Sequence, residues 1–168
     1  ADSSDAKAPP TETAPAVTPT ETAENKPPAI AVLPFANMSG DPEQDFFVDG
    51  ITEDIITNLS LWRNFPVISR NSSFTYKDKS VNLKEVGREL GVRYIVEGSV
   101  RKGGQRVRIT AQLIDAEQDH HLWSQKWDRN LEDIFEVQDE VSTSIAAQVN
   151  PTLQNYERDR IERTRPDN

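Results

Sequence analysis

From Ala29 the chain reads AIAVLPF, apolar at consecutive rather than alternate positions, which predicts a short strand covered on both faces. A loop, Ala36 to Gly40, follows it. Asp41 and Pro42 then form an N-cap and first-turn pair with Gln44 three residues on, opening a helical region to about Trp62. Val48, Ile51, Ile55, Leu59 and Trp62 recur at helical spacing and give that region a buried stripe. Phe65 to Arg70 reads as a second short strand and Asn71 to Ser80 as a polar loop. Asn82 with Glu85 signals another capped helix, which buries Leu83, Val86 and Leu90 and stops at Gly91.

After that helix the period changes to two. Arg93 to Arg101 and Arg106 to Asp115 both alternate, and Gly103-Gly104 predicts a two-residue turn between them. That turn would set Val100 opposite Val107 and Tyr94 opposite Leu113. A turn around Glu117 to Asp119 leads to a further strand, His121 to Asp128, with Trp123 and Trp127 on one face. Asn130 is the expected cap of a last helix seamed by Ile134, Val137, Val141, Ile145 and Val149, which Pro151 should interrupt.

The order strand, helix, strand, helix, three strands, helix fixes an architecture once right-handed crossovers are required. The fold class expected is α/β, a mixed five-stranded sheet of order 2-1-3-4-5 with strand 4 antiparallel and helices on both faces. The fifth strand, carrying Lys126 and ending at Asp128-Arg129, has the charged look of a protected edge. Three stretches follow: a Pro/Thr/Glu-rich linker over residues 1–28, the α/β domain over 29–150, and a charged extension over 151–168 leading towards a following domain. The linker holds six prolines and one branched aliphatic residue, Val17, so it cannot bury enough to offset its ordering entropy.

Charge and composition remove several functions. The net charge is −9, of which the first 28 residues contribute −3, so both parts would repel a phosphate backbone and no nucleic-acid partner is expected. Without cysteine there is no disulfide, thiolate metal site or cysteine nucleophile. No apolar run approaches the roughly 20 residues that span a bilayer, so no direct membrane insertion by this segment is expected. The sequence opens without Met or a leader-like stretch and reads as a fragment.

The strings AVLPFANMSGDPEQDFFVDGITEDIITNL from Ala31, VISRNSSFTYKDK from Val67, VGRELGVRYIVEGSVRKGGQRVRITAQLIDA from Val86 and HLWSQKWDRNLEDIFEVQDEV from His121 resemble the TolB amino-terminal-like family. The branch resembled sits between a transmembrane segment and tetratricopeptide (TPR) repeats in bacterial adenylate cyclase-like and CadC-like signalling proteins. The likeness covers Ala29 to Val149 collinearly. It implies an anticodon-binding-like α/β fold, no catalytic residues, no cofactor, and TPR repeats after Asn168 in the parent protein.

Candidate chemistry is sparse. His120-His121 would point to opposite faces of a strand, and no other histidine or cysteine completes a metal site. Asp49, Glu53 and Asp54, like the acids between Asp128 and Glu140, read as helix-start and solvated-face residues. Lys102-Gly103-Gly104 joins two strands, so it is a turn rather than a phosphate loop. The better location is the crevice at the carboxyl ends of the first and third strands, a topological switch point. Asn37, Ser39 and Asp41 would line it, with Arg70, Ser72 and Ser73 arriving from the loop after the second strand. The function expected is a non-catalytic accessory or sensory module that binds a protein partner or small effector and relays that state to adjoining TPR or signalling domains. Its expected place is extracytoplasmic, tethered to the inner membrane in the parent, with a cytoplasmic place as the alternative. A cell-envelope assembly component of the TolB or flagellar and curli lipoprotein type is the alternative role; a nucleotide-binding or hydrolytic enzyme is the remote one.

Overall fold

Consecutive apolar positions in Ile30–Val32 put side chains into two separate cores, and the whole architecture follows from that strand. The computed structural model describes residues 27–164, so most of the linker expected over 1–28 and the last four residues lie outside the described part. Within it the elements are β1 (Ile30–Val32), β2 (Ala36–Asn37), α1 (Asp45–Trp62), α2 (Arg70–Ser73), α3 (Leu83–Leu90), β3 (Tyr94–Gly103), β4 (Arg106–Asp115), β5 (His120–Asn130) and α4 (Ile134–Thr164). A 3-10 turn over Pro42–Gln44 leads into α1, with the Asp41 carboxylate accepting from the Glu43 amide.

The five strands form one mixed sheet. β1 and β2 both run parallel to β3, as Ile30 to Val32 against Tyr94 to Val96 and Ala36-Asn37 against Ser99-Val100. β3, β4 and β5 form an antiparallel meander. Ile30 and Val32 join α1, α4 and the inward residues of β3 and β4 in the larger core. Ala31 and Leu33 join Val86, Val92, Ile95 and Ala116 beneath α3. Helices therefore cover both faces, α1 and α4 on one and α3 on the other. α4 is tied to α1 by Gln138 donating to Asp54 at 2.9 Å and to the chain just past α1 by Asn64 donating to Asn150 at 3.1 Å.

Five local expectations need correction. The stretch Ala36 to Gly40, expected as a loop, opens with β2, which pairs with β3 and supplies the fifth strand of the sheet. The strand expected over Phe65 to Arg70 is a single parallel bridge, Val67 to Ile30, with Ile30 N donating to Pro66 O and Ile68 N to Ile30 O. It lies beside β1 as the predicted order requires. Pro66 supplies no N–H, and Ser69, the N-cap of α2, turns the chain helical at Arg70 before a second bridge can form.

The β3–β4 register is displaced by two residues, pairing Gly103 with Arg106, Val100 with Ile109 and Tyr94 with Asp115. The turn positions are Gly104 and Gln105, and only Gly104 has a positive φ, +60°, which suits a turn with glycine first. A shift of two leaves every side chain on its predicted face.

Asn130 is the last residue of β5, opposite Arg106, and does not cap the final helix. That cap is Asp133, whose carboxylate accepts from the Phe135 and Glu136 amides at 3.1 and 3.2 Å. Nor does Pro151 interrupt α4, which continues to Thr164. The proline withholds one N–H on the exposed side of the helix, while Leu153 and Glu157 beyond it are buried.

Candidate functional site

The six residues of the expected crevice fall into two hydrogen-bonded groups, each tied to the protein's own backbone. Asn37 donates to Asp41 O at 3.0 Å and to the Asp45 carboxylate at 2.6 Å, and accepts from the Ser39 amide at 3.0 Å. Asp41 N in turn donates to Ser39 Oγ at 3.1 Å. In the second group, Ser72 lies in the turn capped by Ser69, and the buried Ser73 hydroxyl donates to Val32 O. Arg70 pairs with Glu53 at 2.6 Å and lies 4.1 Å over the Phe74 ring. No hydrogen bond joins the two groups among the described residues. The carboxyl end of β1 is closed between them, because Phe35 N donates to the buried Thr52 hydroxyl at 3.0 Å and Val32 O is taken by Ser73.

A groove of about 1010 Å³ lies instead at the opposite, amino end of β1. Its walls come from the segment Pro27 to Ala29 entering β1, from Phe65-Pro66, from one face of α3, from Arg93, and from the last turns of α4 at Glu157, Arg160 and Ile161. Beside it runs a network of charged and phenolic groups that sequence reasoning left unassigned. Asp115 is wholly buried and accepts from Arg93 at 3.0 Å, from the Tyr156 hydroxyl at 2.7 Å, and from the amides of Glu117 and Gln118. The second arm of Arg93 reaches Glu117 at 2.9 Å, and Arg93 Nε is buried without a partner. Tyr94 donates to Glu157, which also receives Arg160 at 2.7 and 3.0 Å. Tyr94 packs edge-on between Phe65 and Tyr156, with ring centroids 6.5 and 6.0 Å away. β3, β4 and α4 are thus locked together by two carboxylates.

The electrostatics match that geometry. Burial acts to raise the Asp115 carboxyl, but hydrogen bonds from Tyr156 and Arg93 outweigh it and hold the group below its ordinary value. Glu157 behaves alike, with burial opposed by Arg160 and Tyr94 and the net shift downward. Burial and the neighbouring carboxylates push both tyrosines up, Tyr94 through Glu157 and Tyr156 through Asp115. The arrangement keeps the acids ionised and the phenols neutral. It holds structure and offers no group poised near neutrality for proton transfer.

The remaining candidates are accounted for locally. His121 bonds to Gln112 on the polar outer face of the sheet, and His120 is exposed at the start of β5. Asp49 pairs with Lys77 at 2.6 Å. Among the described residues no three His, Cys, Asp or Glu side chains converge as metal ligands, and no helix is long and apolar enough to cross a membrane.

A parallel β1–β3 pair continued by an antiparallel meander, with α3 on one face and α1 and α4 on the other, defines an α/β module of the TolB-like kind. Its fold is that of lipoprotein GNA1162 from Neisseria meningitidis, with a TM-score of 0.55 at 17% identity over 73% of this chain and 98% of that one. TolB from Acinetobacter baumannii shares it with a TM-score of 0.50 at 18% identity, over 76% of this chain and 29% of TolB. The chain belongs to the family of HilA/YgeH-like transcriptional regulator second domains, which it matches over residues 25–144. It is also 57% identical over 135 residues to a Rhizobium meliloti (strain 1021) protein named "Putative adenylate cyclase 3". That match takes in 80% of this chain and 23% of the relative's length.

Proposed function

We propose that this domain is a non-catalytic accessory module of a bacterial signalling protein, of the adenylate cyclase-like or TPR-bearing transcriptional-regulator type. It binds an effector or protein partner and passes that state to adjoining domains. The observation that carries this reading is the composition of the groove: the segment entering β1 and the last turns of α4 both line one cavity. A ligand in that groove lies next to both the entry to the domain and its final helix, and the Tyr94–Glu157 contact couples that helix to the sheet. Family membership and the cyclase-named relative support the signalling context. The fold shared with a lipoprotein and TolB supports an extracytoplasmic place and favours envelope interaction as the second reading; tethering to the inner membrane is part of the proposal.

The test uses the longer protein that carries the domain. Tyr94→Phe with Glu157→Gln should blunt the regulated change in cyclase or transcriptional output. Effector-independent turnover or DNA binding by the output domain should remain. Regulated output that survives removal of residues 29–164 unchanged would overturn the relay.

A further inference from the structure

We propose that the groove at the amino end of β1 is a binding site for a small organic acid, a carboxylate carried on an apolar body. This names the ligand class for the relay reading above and rests on it. The sign of the ligand's charge comes from the lining. Four cations, Lys84, Arg88, Arg93 and Arg160, line it with two carboxylates, Glu117 and Glu157, and even with the buried Asp115 behind Arg93 the balance stays positive in a chain whose net charge is −9. The groove is therefore a local exception to the field of the whole molecule.

The cations are not equally committed. Glu157 holds Arg160 in a bidentate pair and is itself held by Tyr94, so both groups are already engaged. Lys84 and Arg88 stand one turn apart on α3, exposed, and their side chains make no ion pair or hydrogen bond among the described residues. Gly87 and Gly91 lie between and beyond them on the same wall. A Cβ at Gly91 would meet open space, so this wall stands clear beside the two cations that line it.

Arg93 supplies the anchor. One arm of its guanidinium is fixed by the buried Asp115, and the other holds Glu117, whose side chain is 63% exposed on a surface turn. A surface carboxylate on that arm is the chemistry an incoming carboxylate would reproduce, with Glu117 swinging into water as it leaves. The apolar body is provided for by Ala29, Phe65, Pro66, Val92 and Ala116, together with the half-exposed Ile161. A volume of about 1010 Å³ accommodates an aromatic or aliphatic acid with room to spare.

The probe is 2-naphthoate, titrated into the full 168-residue chain against its uncharged counterpart 2-naphthamide, with backbone amide shifts and calorimetry as readouts. Naphthoate should bind saturably, moving the amides of Lys84, Arg88, Arg93 and Glu117, and naphthamide should bind about tenfold more weakly or not at all. Lys84→Gln with Arg88→Gln, both at exposed positions, should weaken naphthoate by about tenfold without moving the unfolding temperature. Glu117→Gln should tighten it several-fold by removing the competitor. Equal binding of acid and amide, a double variant with unchanged affinity, or weaker binding by Glu117→Gln would each overturn the assignment. Absence of naphthoate binding, in a domain whose parent still loses regulation when the Tyr94–Glu157 contact is cut, would overturn the acid and leave the relay standing.

Discussion

Gly98 lies at the centre of β3, where the sheet meets the residue that closes the end of β1. A methyl group there would overlap the carbonyl oxygen of Thr110 and come within 2.5 Å of the Phe35 ring. The oxygen belongs to the backbone of the paired strand and cannot yield. Gly98→Ala should therefore cost about 3 kcal/mol by overpacking, read as a lower urea midpoint at unchanged slope. Adding Phe35→Leu should recover little, because the ring is the softer of the two obstacles. Full recovery would mean that the ring alone sets the requirement. The same corner explains why the expected crevice is closed. Thr52 and Ser73 spend their hydroxyls on Phe35 N and Val32 O, so the switch point of the sheet is filled by the chain's own side chains. Sequence alone supplies the right residue types for that crevice, since Asn, Ser and Asp serve loops and ligands alike. Only coordinates show which use each residue is put to.

Most elements are legible as periods, and the departures occur where one local signal is overruled by pairing elsewhere. The run AIAVLPF announces a strand with two buried faces, and β1 divides its side chains between two cores accordingly. The glycine pair announces a hairpin, yet a single positive φ suffices and the register moves by two. The larger departure concerns Pro151. Ile145, Val149, Leu153 and Tyr156 continue one apolar seam straight through it, so the signal for a longer helix is present and outweighs the rule that proline ends helices. Tyr156, Glu157 and Arg160, half of the buried network, lie in the charged stretch beyond Pro151, whose composition is that of a solvated tail. The consequence is measurable. Leu153 is fully buried in the larger core, so Leu153→Ala should cost about 3 kcal/mol, comparable to a substitution at Ile145. Amides from Leu153 to Glu157 should exchange with the protection of the core. A frayed extension would show no protection there and no loss of stability.

For the molecule as a whole, the two buried carboxylates give stability a dependence on pH beyond that of the solvent-exposed ion pairs of Asp128 and Glu140, which screening weakens. Asp115 and Glu157 are both held below their ordinary values of 3.8 and 4.5, so the folded state binds fewer protons than the unfolded state in that region. Their contribution is complete above those values and is lost as pH falls through the depressed ones. Tyr94 and Tyr156 are raised above 10.0, so their contribution is complete below that value and is lost as pH rises through the raised ones. The network alone predicts a plateau between the two limits. Against the acid limb works the net charge of −9, since protonating exposed acids relieves self-repulsion as pH drops. The two effects separate by screening, because roughly 0.5 M salt suppresses surface repulsion and acts much less on groups as buried as Asp115 and Glu157. At that salt, unfolding free energy should be flat from about pH 5 to 9 and fall below about pH 4. Asp115→Asn should lower the plateau by about 3 kcal/mol, because the largely buried Arg93 then keeps only the exposed Glu117 as a counter-charge. The same variant should flatten the acid limb, since one of the two titrating groups is gone. An acid limb of undiminished steepness in Asp115→Asn combined with Glu157→Gln would place its origin in the surface carboxylates instead. The lock between α4 and the sheet would then be neutral to pH.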